Sequence, residues 1–443
     1  RLAHWFDQAV EAKTPAEVEA IVERARLEDP TLGNELAALL ALDQAATAAQ
    51  QSSGDTTDAL AEIVGRASRW LDGPSERTNE HLGPYRLIRE VGRGGLGTVY
   101  LAERADEDFP LQVALKIVDR RFGSPRDRER LIEERRILAT LDHPNIARVF
   151  DAGAADDGTP YFALEFLEGE PIDRHADRTH LSIEQRLHLF LGVAEAVAYA
   201  HRRLVIHRDI KPSNVLVSAQ GTPKLLDFGI AKVLETERTD LTRPEERMLT
   251  PDYASPEQIR GEPLTTATDV YSLGALLYAL LTGRPPFRFR GQTAAQIERR
   301  LNTEEPPAAS IAVLASDDAA EEGDPDATEL AALRSTTVGR LPRQLRGDLD
   351  TIIARALHKE VGRRYSSVEQ FAEDVRRHLS NRPISARSDS LAYRARRFVR
   401  RHRVGVTAAG LVALAVAGGW LSTAREMRHA RLEQARTEQV AGF

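Results

Sequence analysis

The sequence predicts an α+β protein with two lobes, a β-rich N-lobe and a helical C-lobe, preceded by helices and followed by one transmembrane helix. Three observations support this fold class. Short β-branched and aromatic runs between residues 85 and 118 are separated by Gly or charged turns, which is typical of antiparallel strands. Beyond Leu181 the apolar spacing becomes helical. An uncharged apolar segment then runs from Val404 to Leu421.

Residues 1–71 are predicted to form an N-terminal helical region. Thr14-Pro15 and Asp29-Pro30 each place a capping side chain before a Pro at the first helical position. Residues 72–84 contain Gly, Pro and Ser without an apolar period and are predicted to be a linker. Two interpretations fit the helical region: a docking or autoregulatory module, and a packing cap.

Residues 85–380 are predicted to form the central domain, with the N-lobe at about 85–165 and the C-lobe at about 168–380. An acidic loop at 316–329 interrupts the C-lobe. We interpret this loop as a solvated insertion, with a docking surface for a basic partner as the alternative.

The segment 404–421 is predicted to be a single transmembrane helix, since it would extend about 27 Å. An Ala-rich buried helix is the alternative. Residues 381–403 form a basic juxtamembrane segment, which by the positive-inside rule places everything before it in the cytoplasm. Residues 422–443 would begin an extracytoplasmic segment that is expected to be truncated here. The juxtamembrane arginines are Arg394, Arg396, Arg397, Arg400, Arg401 and Arg403.

Composition excludes several classes of chemistry. The 443 residues include 60 Lys and Arg against 67 Asp and Glu, and the net charge of −7 gives no general electrostatic reason to bind nucleic acid. The basic segment has few aromatic residues among its arginines, so it favours contact with anionic lipid over nucleic acid. The chain has no Cys, which excludes disulfides, Cys-ligated zinc and thiol catalysis. No secretory signal pattern is present at the start.

The run Gly92-Arg93-Gly94-Gly95-Leu96-Gly97-Thr98-Val99 matches the pattern G-x-G-x-x-G-x-V. Dinucleotide-binding folds share these glycines, but there they open a helix, whereas the residues after Gly97 are predicted to form a strand. A glycine loop between strands can fold over phosphates and offer backbone N–H donors. Lys116 ends the next strand and is a candidate phosphate ligand, with Glu133 or Glu134 as its acidic partner.

Two further motifs follow in a fixed order. The run His207-Arg208-Asp209-Ile210-Lys211-Pro212-Ser213-Asn214 precedes Asp227-Phe228-Gly229. Either run alone is explained by a polar turn, but chance does not explain both after a glycine loop and a Lys. From about Tyr85 to Leu379 the chain resembles the protein kinase superfamily.

The resemblance implies roles for individual residues. Asp209 would accept or orient the proton of the substrate hydroxyl, and Lys211 would steady the γ-phosphate of ATP. Asn214 and Asp227 would hold Mg²⁺, and a Lys116–Glu134 pair would orient the other phosphates. A Glu257–Arg364 ion pair is expected to be structural. The ATP site would comprise Val91, Gly92, Arg93, Gly94, Gly95, Leu96, Gly97, Thr98, Val99, Ala114, Lys116, Glu165, Leu167 and Leu216.

Local sequence also indicates the substrate class. Lys211, two residues after Asp209, resembles serine/threonine kinases, because tyrosine kinases typically carry Ala-Ala-Arg or Arg-Ala-Ala there. Arg208 beside Asp209 suggests control by activation-loop phosphorylation, since a phosphate would pair with this cation. The candidate acceptors are Thr236, Thr239 and Thr242, with Thr239 and Thr242 preferred.

The runs at 249–258, 265–272 and 346–350, together with the late Arg-rich run, resemble bacterial membrane-anchored serine/threonine kinases. This resemblance implies a single-pass protein of the inner membrane that uses ATP and Mg²⁺, acts on Ser or Thr of protein substrates and can form a homodimer for autophosphorylation. A signalling scaffold is the competing hypothesis, but intact Lys116, Asp209, Asn214 and Asp227 favour the enzyme. A small-molecule phosphotransferase is disfavoured by the peptide-docking segment around Ser255.

Overall fold

The computed structural model describes residues 79–94, 97–105, 111–118, 140–155, 158–228, 251–289, 291–314, 325–387 and 407–423, with scattered positions near both ends. Contacts divide the chain into two compact units, residues 1–92 with 99–112, and residues 93–98 with 113–443. The described strands are β1 (His81–Leu82), β2 (Tyr85–Gly94), β3 (Gly97–Arg104), β4 (Gln112–Val118), β5 (Val149–Ala154), β6 (Pro160–Glu165), β7 (Gly169–Pro171), β8 (Val215–Ser218) and β9 (Pro223–Leu225).

The described helices of the C-lobe are α1 (Ile172–Arg178), α2 (Ile183–His201), α3 (Pro256–Arg260), α4 (Thr266–Thr282), α5 (Ala294–Thr303), α6 (Ala309–Ala312), α7 (Ala327–Ala332), α8 (Leu341–Leu345), α9 (Asp348–Ala356) and α10 (Val368–Leu379). Short 3-10 turns occupy Pro212–Asn214, Pro251–Tyr253 and Val361–Arg363. Near the N-terminus, the described positions between Val18 and Ala25 are helical, and the remainder of the predicted region 1–71 lies outside the described residues.

The first unit is built on strands. β1 pairs antiparallel with β2, and Leu82 lies opposite Tyr85. Tyr85, Leu87 and Ala102 are fully buried, so these strands place alternate side chains in a core. The predicted antiparallel strands therefore form where β-branched and aromatic residues alternate with polar ones.

In the second unit, β4 pairs antiparallel with β6, and Lys116 lies opposite Phe162. β6 also pairs antiparallel with β5. The alternation along β4 buries Val113, Leu115 and Ile117. Lys116 consequently points to the opposite face of the sheet from this apolar row.

A small sheet of β7, β8 and β9 carries the segments that lead into the site. β8 and β9 form a hairpin whose turn contains Gly221 at φ +80°, a left-handed conformation that suits glycine. Leu225 of β9 forms a parallel bridge with Ile146. The hairpin thereby fixes the residues on either side of it, Asn214 before β8 and Asp227 after β9.

The core of the C-lobe surrounds α4, which is buried along nearly its whole length from Thr268 to Thr282. Thr265 caps the N-terminus of this helix, and Gly283 ends it at φ +79°. Such a helix is apolar on all sides because it lies inside the lobe rather than on its surface.

The acidic loop was predicted to end at residue 329, but in the structure a helix already begins at Ala327. Asp326 accepts hydrogen bonds from the N–H groups of Thr328 and Glu329 and caps α7. The last residues of the acidic run therefore begin a helix, because a capping aspartate and a first-turn glutamate favour a helix N-terminus. Residues 315–324 lie outside the described part of the chain.

Leu204 follows α2 in a left-handed conformation, at φ +62°, and its side chain is 93% exposed. An L-residue in this region is strained, and no packing compensates here. Leu204→Gly should therefore raise the free energy of unfolding by about 0.5 kcal/mol, after allowance for the larger entropy of an unfolded glycine. Urea unfolding measures the change. As a control, Ile311→Gly, at an exposed helical position, should lower the free energy of unfolding. If Leu204→Gly lowered it as well, backbone strain at Leu204 would not be the cause.

Residues 407–423 form a helix with exposed apolar side chains, including Leu414 and Trp420. Within the described residues, no helix is both long and apolar enough to cross a membrane. The transmembrane helix predicted for 404–421 is thus not supported by the structure. Residues 404–406 lie before the described helix.

Candidate active site

The loop between α2 and β8 brings three predicted residues together. The amide of Asn214 donates hydrogen bonds to the main-chain oxygen of Asp209, at 2.8 Å, and to its Oδ2, at 2.9 Å. Lys211 Nζ lies 3.0 Å from the same Oδ2. The Asp209 carboxylate is thus held in one orientation by an amide and an ammonium group. A fixed, negatively charged acceptor is what positioning a substrate hydroxyl requires.

The backbone of this loop is anchored by Asp269 of α4, which is buried. Its carboxylate accepts hydrogen bonds from the N–H groups of His207, at 2.8 Å, and Arg208, at 2.9 Å. His201 Nε2 lies 2.7 Å from the same carboxylate. Burial alone would raise the pKa of Asp269, but the hydrogen bond and charge of His201 together lower it. An ionised Asp269 therefore holds the catalytic loop in place.

His207 is buried beneath the loop. Burial lowers the pKa of its imidazole, although the negative charge of Asp269 acts to raise it. Its Nε2 lies 2.8 Å from the carbonyl of Leu226, and its Nδ1 lies 3.3 Å from the N–H of Asp209. A carbonyl only accepts and an amide N–H only donates, so the ring is neutral with its proton on Nε2. His207 consequently connects the Asp209 loop to the segment that carries Asp227.

The Asp227 segment is fixed next to Asn214. The N–H of Leu226 donates to the carbonyl of Asn214 at 2.8 Å. The ring of Phe228 lies 4.8 Å from that of His207. These two contacts, one on each side of Asp227, place both predicted metal ligands on adjacent backbone segments.

Lys116 Nζ lies 2.8 Å from Asp227 Oδ2. The predicted phosphate ligand and the predicted metal ligand therefore face the same space. Glu134, the predicted partner of Lys116, lies outside the described residues, as do Gly95, Leu96, Thr239 and Thr242. The Lys116–Glu134 pair and the regulatory threonines stay predictions.

Two residues of the site have strained backbones. Arg208 has φ +69° and Asp227 has φ +46°, both in the left-handed region that L-residues adopt at a cost of about 1–2 kcal/mol. Two hydrogen bonds hold Arg208 in this conformation. Its N–H donates to the Asp269 carboxylate, and its carbonyl accepts from the Gln258 side chain at 2.7 Å. Strain that is retained by such specific contacts is typical of functional loops.

Strands lie on both sides of the glycine run, as predicted, with β2 ending at Gly94 and β3 beginning at Gly97. Gly97 has φ +145°, and a Cβ atom there would lie 1.9 Å from the carbonyl oxygen of Ile117. Only glycine allows this approach. The end of the loop therefore lies against the β4 residue that follows Lys116.

Glu165 closes β6, where the resemblance places the segment that binds adenine through its backbone. Its carboxylate accepts Lys224 Nζ at 2.6 and 2.7 Å, and the N–H of Arg148 at 3.2 Å. Lys224 belongs to β9 and lies opposite Leu216 of β8. This ion pair connects the end of β6 to the hairpin that leads to Asp227, and local sequence pattern does not predict it because its partners are 59 residues apart.

The predicted pair Glu257–Arg364 is present. Two bonds of 2.7 and 2.8 Å join the guanidinium to the carboxylate, and Thr268 Oγ1 donates to the same carboxylate at 3.0 Å. Burial opposes ionisation of Glu257, but the hydrogen bond and charge of Arg364 lower its pKa overall. The pair supports α3, the segment that follows the peptide-docking residues.

The order and geometry of these parts agree with a comparison against protein families, in which the model for the protein kinase domain matches residues 85–377. The chain belongs to the protein kinase family. The kinase accordingly has a bilobal fold with a β-sheet N-lobe and a helical C-lobe, as the sequence predicts.

Curated relatives of the kinase are named bacterial serine/threonine-protein kinases. A probable serine/threonine-protein kinase of Streptomyces coelicolor is 32% identical over 310 residues, which are 69% of this chain and 41% of the relative. The serine/threonine-protein kinase PrkC of Bacillus subtilis is 38% identical over 231 residues, which are 51% of this chain and 34% of the relative. The chain thus spans less than half the length of these relatives.

Among solved structures, the PknI kinase domain of Mycobacterium tuberculosis matches with a TM-score of 0.48 and 25% identity, over 68% of this chain and 98% of that domain.

Proposed function

We propose that the protein transfers the γ-phosphate of ATP to Ser or Thr hydroxyls of proteins in bacterial signalling, including its own activation segment. The observation that carries this proposal is the joint placement of Asp209, Lys211 and Asn214 on one loop, with Asp227 fixed beside it and bonded to Lys116. Phosphoryl transfer needs mainly positioning and charge neutralisation, which these groups supply.

Asp209 would orient the acceptor hydroxyl, since its carboxylate is already fixed by its two neighbours. Lys211, on the same carboxylate, is placed to neutralise charge on the transferred phosphoryl group. Lys116 would bind the remaining phosphates. The backbone of Glu165 and Leu167 would bond the adenine edge, while Ala114 and Leu216 would contact its faces.

The donor set of the site suits Mg²⁺. Because the Asn214 amide nitrogen donates to Asp209, its Oδ1 is left as an acceptor, and Asp227 supplies a carboxylate. Mg²⁺ takes hard oxygen ligands and usually binds one or two protein groups together with substrate phosphates. The ion would shield the phosphate oxygens during transfer.

Incubation of the full chain with labelled ATP tests the proposal. With Mg²⁺ present, we expect label in phosphothreonine or phosphoserine, and peptide mapping should place part of it at Thr239 or Thr242, where the phosphate would pair with Arg208. An excess of EDTA should abolish the label, because without the cation the Asp227 carboxylate would face the negatively charged phosphates with no ion between them. Failure to label the chain or a generic basic protein would favour the scaffold hypothesis.

We further propose that residues 404–421 attach the kinase to the membrane, with the kinase domain in the cytoplasm. The uncharged sequence, the preceding arginines and the exposed apolar side chains of the 407–423 helix support this. In cells, alkaline carbonate should leave the full chain in the membrane pellet, whereas a variant with Leu411→Arg and Leu414→Arg should be released. Release of the unaltered chain would contradict membrane insertion.

A further inference from the structure

A cavity of about 730 Å³ lies in the C-lobe, between the first turn of α2, the α8–α9 junction and the end of α10. None of its lining residues belongs to the active site described above. The volume is within the range of sites for small organic ligands, roughly 300–1,000 Å³. The lining comprises Ile183, Glu184, Leu187, Arg340, Arg343, Gln344, Arg346, Gly347, Asp348, His378, Leu379, Asn381 and Arg387.

The lining is rich in arginine. Arg340, Arg343 and Arg346 lie at or beside α8 with a spacing of three residues, which brings them to one side of that short helix. Arg387 joins them from the segment after α10. The lining thus holds four guanidinium groups against two carboxylates, in a chain whose net charge is −7.

Within the described part of the chain, the guanidinium groups of Arg340, Arg343 and Arg346 make no hydrogen bond or ion pair. All three side chains are exposed to solvent. In the same lobe, other arginines are partnered: Arg376 bonds to Glu195, and Arg202 to Glu369. Three unpartnered guanidinium groups around one cavity leave their charge and hydrogen-bonding capacity for a ligand.

The charged groups at the base of the cavity lie close together. His378 Nδ1 is buried and lies 3.8 Å from Asp348 Oδ2. Asp348 is itself buried and also faces Arg387 at 3.8 Å. The Asp348 carboxylate therefore lies beside His378 and Arg387 and not beside the three arginines of α8.

We propose that this arginine-lined cavity binds a phosphate-bearing organic anion. Guanidinium groups bind phosphate oxygens through paired, charge-assisted hydrogen bonds, and three of them are available at the rim. The apolar wall formed by Ile183, Leu187 and Leu379 would contact the carbon skeleton of the ligand. A soluble organophosphate and a phospholipid headgroup share this chemistry.

Calorimetric titration of the full chain with inorganic pyrophosphate, in the presence of EDTA, measures the affinity of the cavity for a soluble phosphate compound. Arg343→Glu should weaken binding by about tenfold or more, because a charge-assisted bond is replaced by repulsion. Arg299→Glu makes the same charge change at an exposed position of α5 outside the cavity and should alter the affinity less than twofold. Both variants keep the nucleotide site, so binding there is common to all three proteins.

Co-sedimentation with vesicles measures binding to a phospholipid headgroup. Vesicles of phosphatidylcholine alone are compared with vesicles of phosphatidylcholine that contain phosphatidylglycerol. A loss of the phosphatidylglycerol-dependent fraction in Arg343→Glu but not in Arg299→Glu would identify a lipid headgroup. Arg343→Gln, which removes the charge without reversing it, should show a smaller loss in the same assay. Equal behaviour of Arg343→Glu and Arg299→Glu in both assays would overturn the proposal, since only general electrostatics would then be acting.

Discussion

Asp209→Asn is expected to lower kcat for phosphoryl transfer by roughly 10²–10⁴-fold, which corresponds to about 3–5 kcal/mol of transition-state stabilisation. The carboxylate is bonded to Lys211 and Asn214, and an amide of the same size can direct its oxygen to both. The fold of the loop should therefore survive. What is lost is the negative charge that orients the proton of the acceptor hydroxyl.

The expected kinetic signature separates this role from a structural one. Because the contacts of Asp209 described here are to protein groups of its own loop, the KM for ATP should change little while kcat falls. Asp142→Asn makes the same chemical change at an exposed position and should keep full activity and stability. If Asp209→Asn retained more than a tenth of kcat, or if its thermal stability fell with its activity, Asp209 would not have the proposed role.

The sequence was sufficient to predict those parts of the fold whose signals are local. Helical apolar spacing was predicted beyond Leu181, and helix α2 occupies Ile183–His201, because Ser182 and Gln185 cap its start and apolar spacing continues through it. A strand after the glycine run was predicted from the β-branched and aromatic residues that follow Gly97, and β3 occupies that position. Asp209, Asn214 and Asp227 were selected because the motifs that carry them are short and contiguous, and the fold brings these residues together, while their roles stay predictions.

Contacts between distant parts of the chain were not predictable from local pattern. Arg186 and Arg334 look like ordinary helix-surface residues, yet both are fully buried and share Asp177. Burial lowers the pKa of Arg334 to about 9. Arg334 also donates to the carbonyl of Leu281 at the end of α4. A single sequence carries no signal for such a pairing, because it depends on which helix ends meet in the folded lobe.

The same limit applies to the support of the active site. Lys224, which bonds to Glu165, and Gln258, which bonds to the carbonyl of Arg208, both act across long sequence separations. Asp269 lies within the run 265–272, and only the fold shows its hydrogen bonds to the N–H groups of His207 and Arg208. Motifs thus select the candidate residues, whereas tertiary contacts determine how the side chains of those residues are held.

Arg364→Met is expected to lower the free energy of unfolding near pH 7 by about 3–5 kcal/mol. Arg364 is fully buried, and besides Glu257 it donates to the carbonyls of Ala267 and His358, at 2.9 and 2.7 Å. A methionine fills similar space but leaves these acceptors unsatisfied and the Glu257 carboxylate buried without its counter-charge. The neighbouring Arg363 pairs with Glu360 at the exposed surface, so Arg363→Met should cost less than about 1 kcal/mol.

The dependence on pH distinguishes a lost ion pair from a packing defect. In the unaltered protein the pKa of Glu257 is lowered, so the stability that the pair contributes is complete above the ordinary carboxylate value of 4.5 and is lost as the pH falls through the folded-state pKa. In Arg364→Met, burial without the counter-charge should raise the pKa of Glu257, and protonation then relieves the defect. Urea unfolding should therefore show a difference between the two proteins that narrows as the pH falls through the raised pKa of Glu257 in the variant towards 4.5. The difference should narrow further below 4.5, where the unaltered protein loses the contribution of the pair. A double variant with Glu257→Leu should lose less than the sum of the single changes, and a difference that stayed constant with pH would refute the ion-pair explanation.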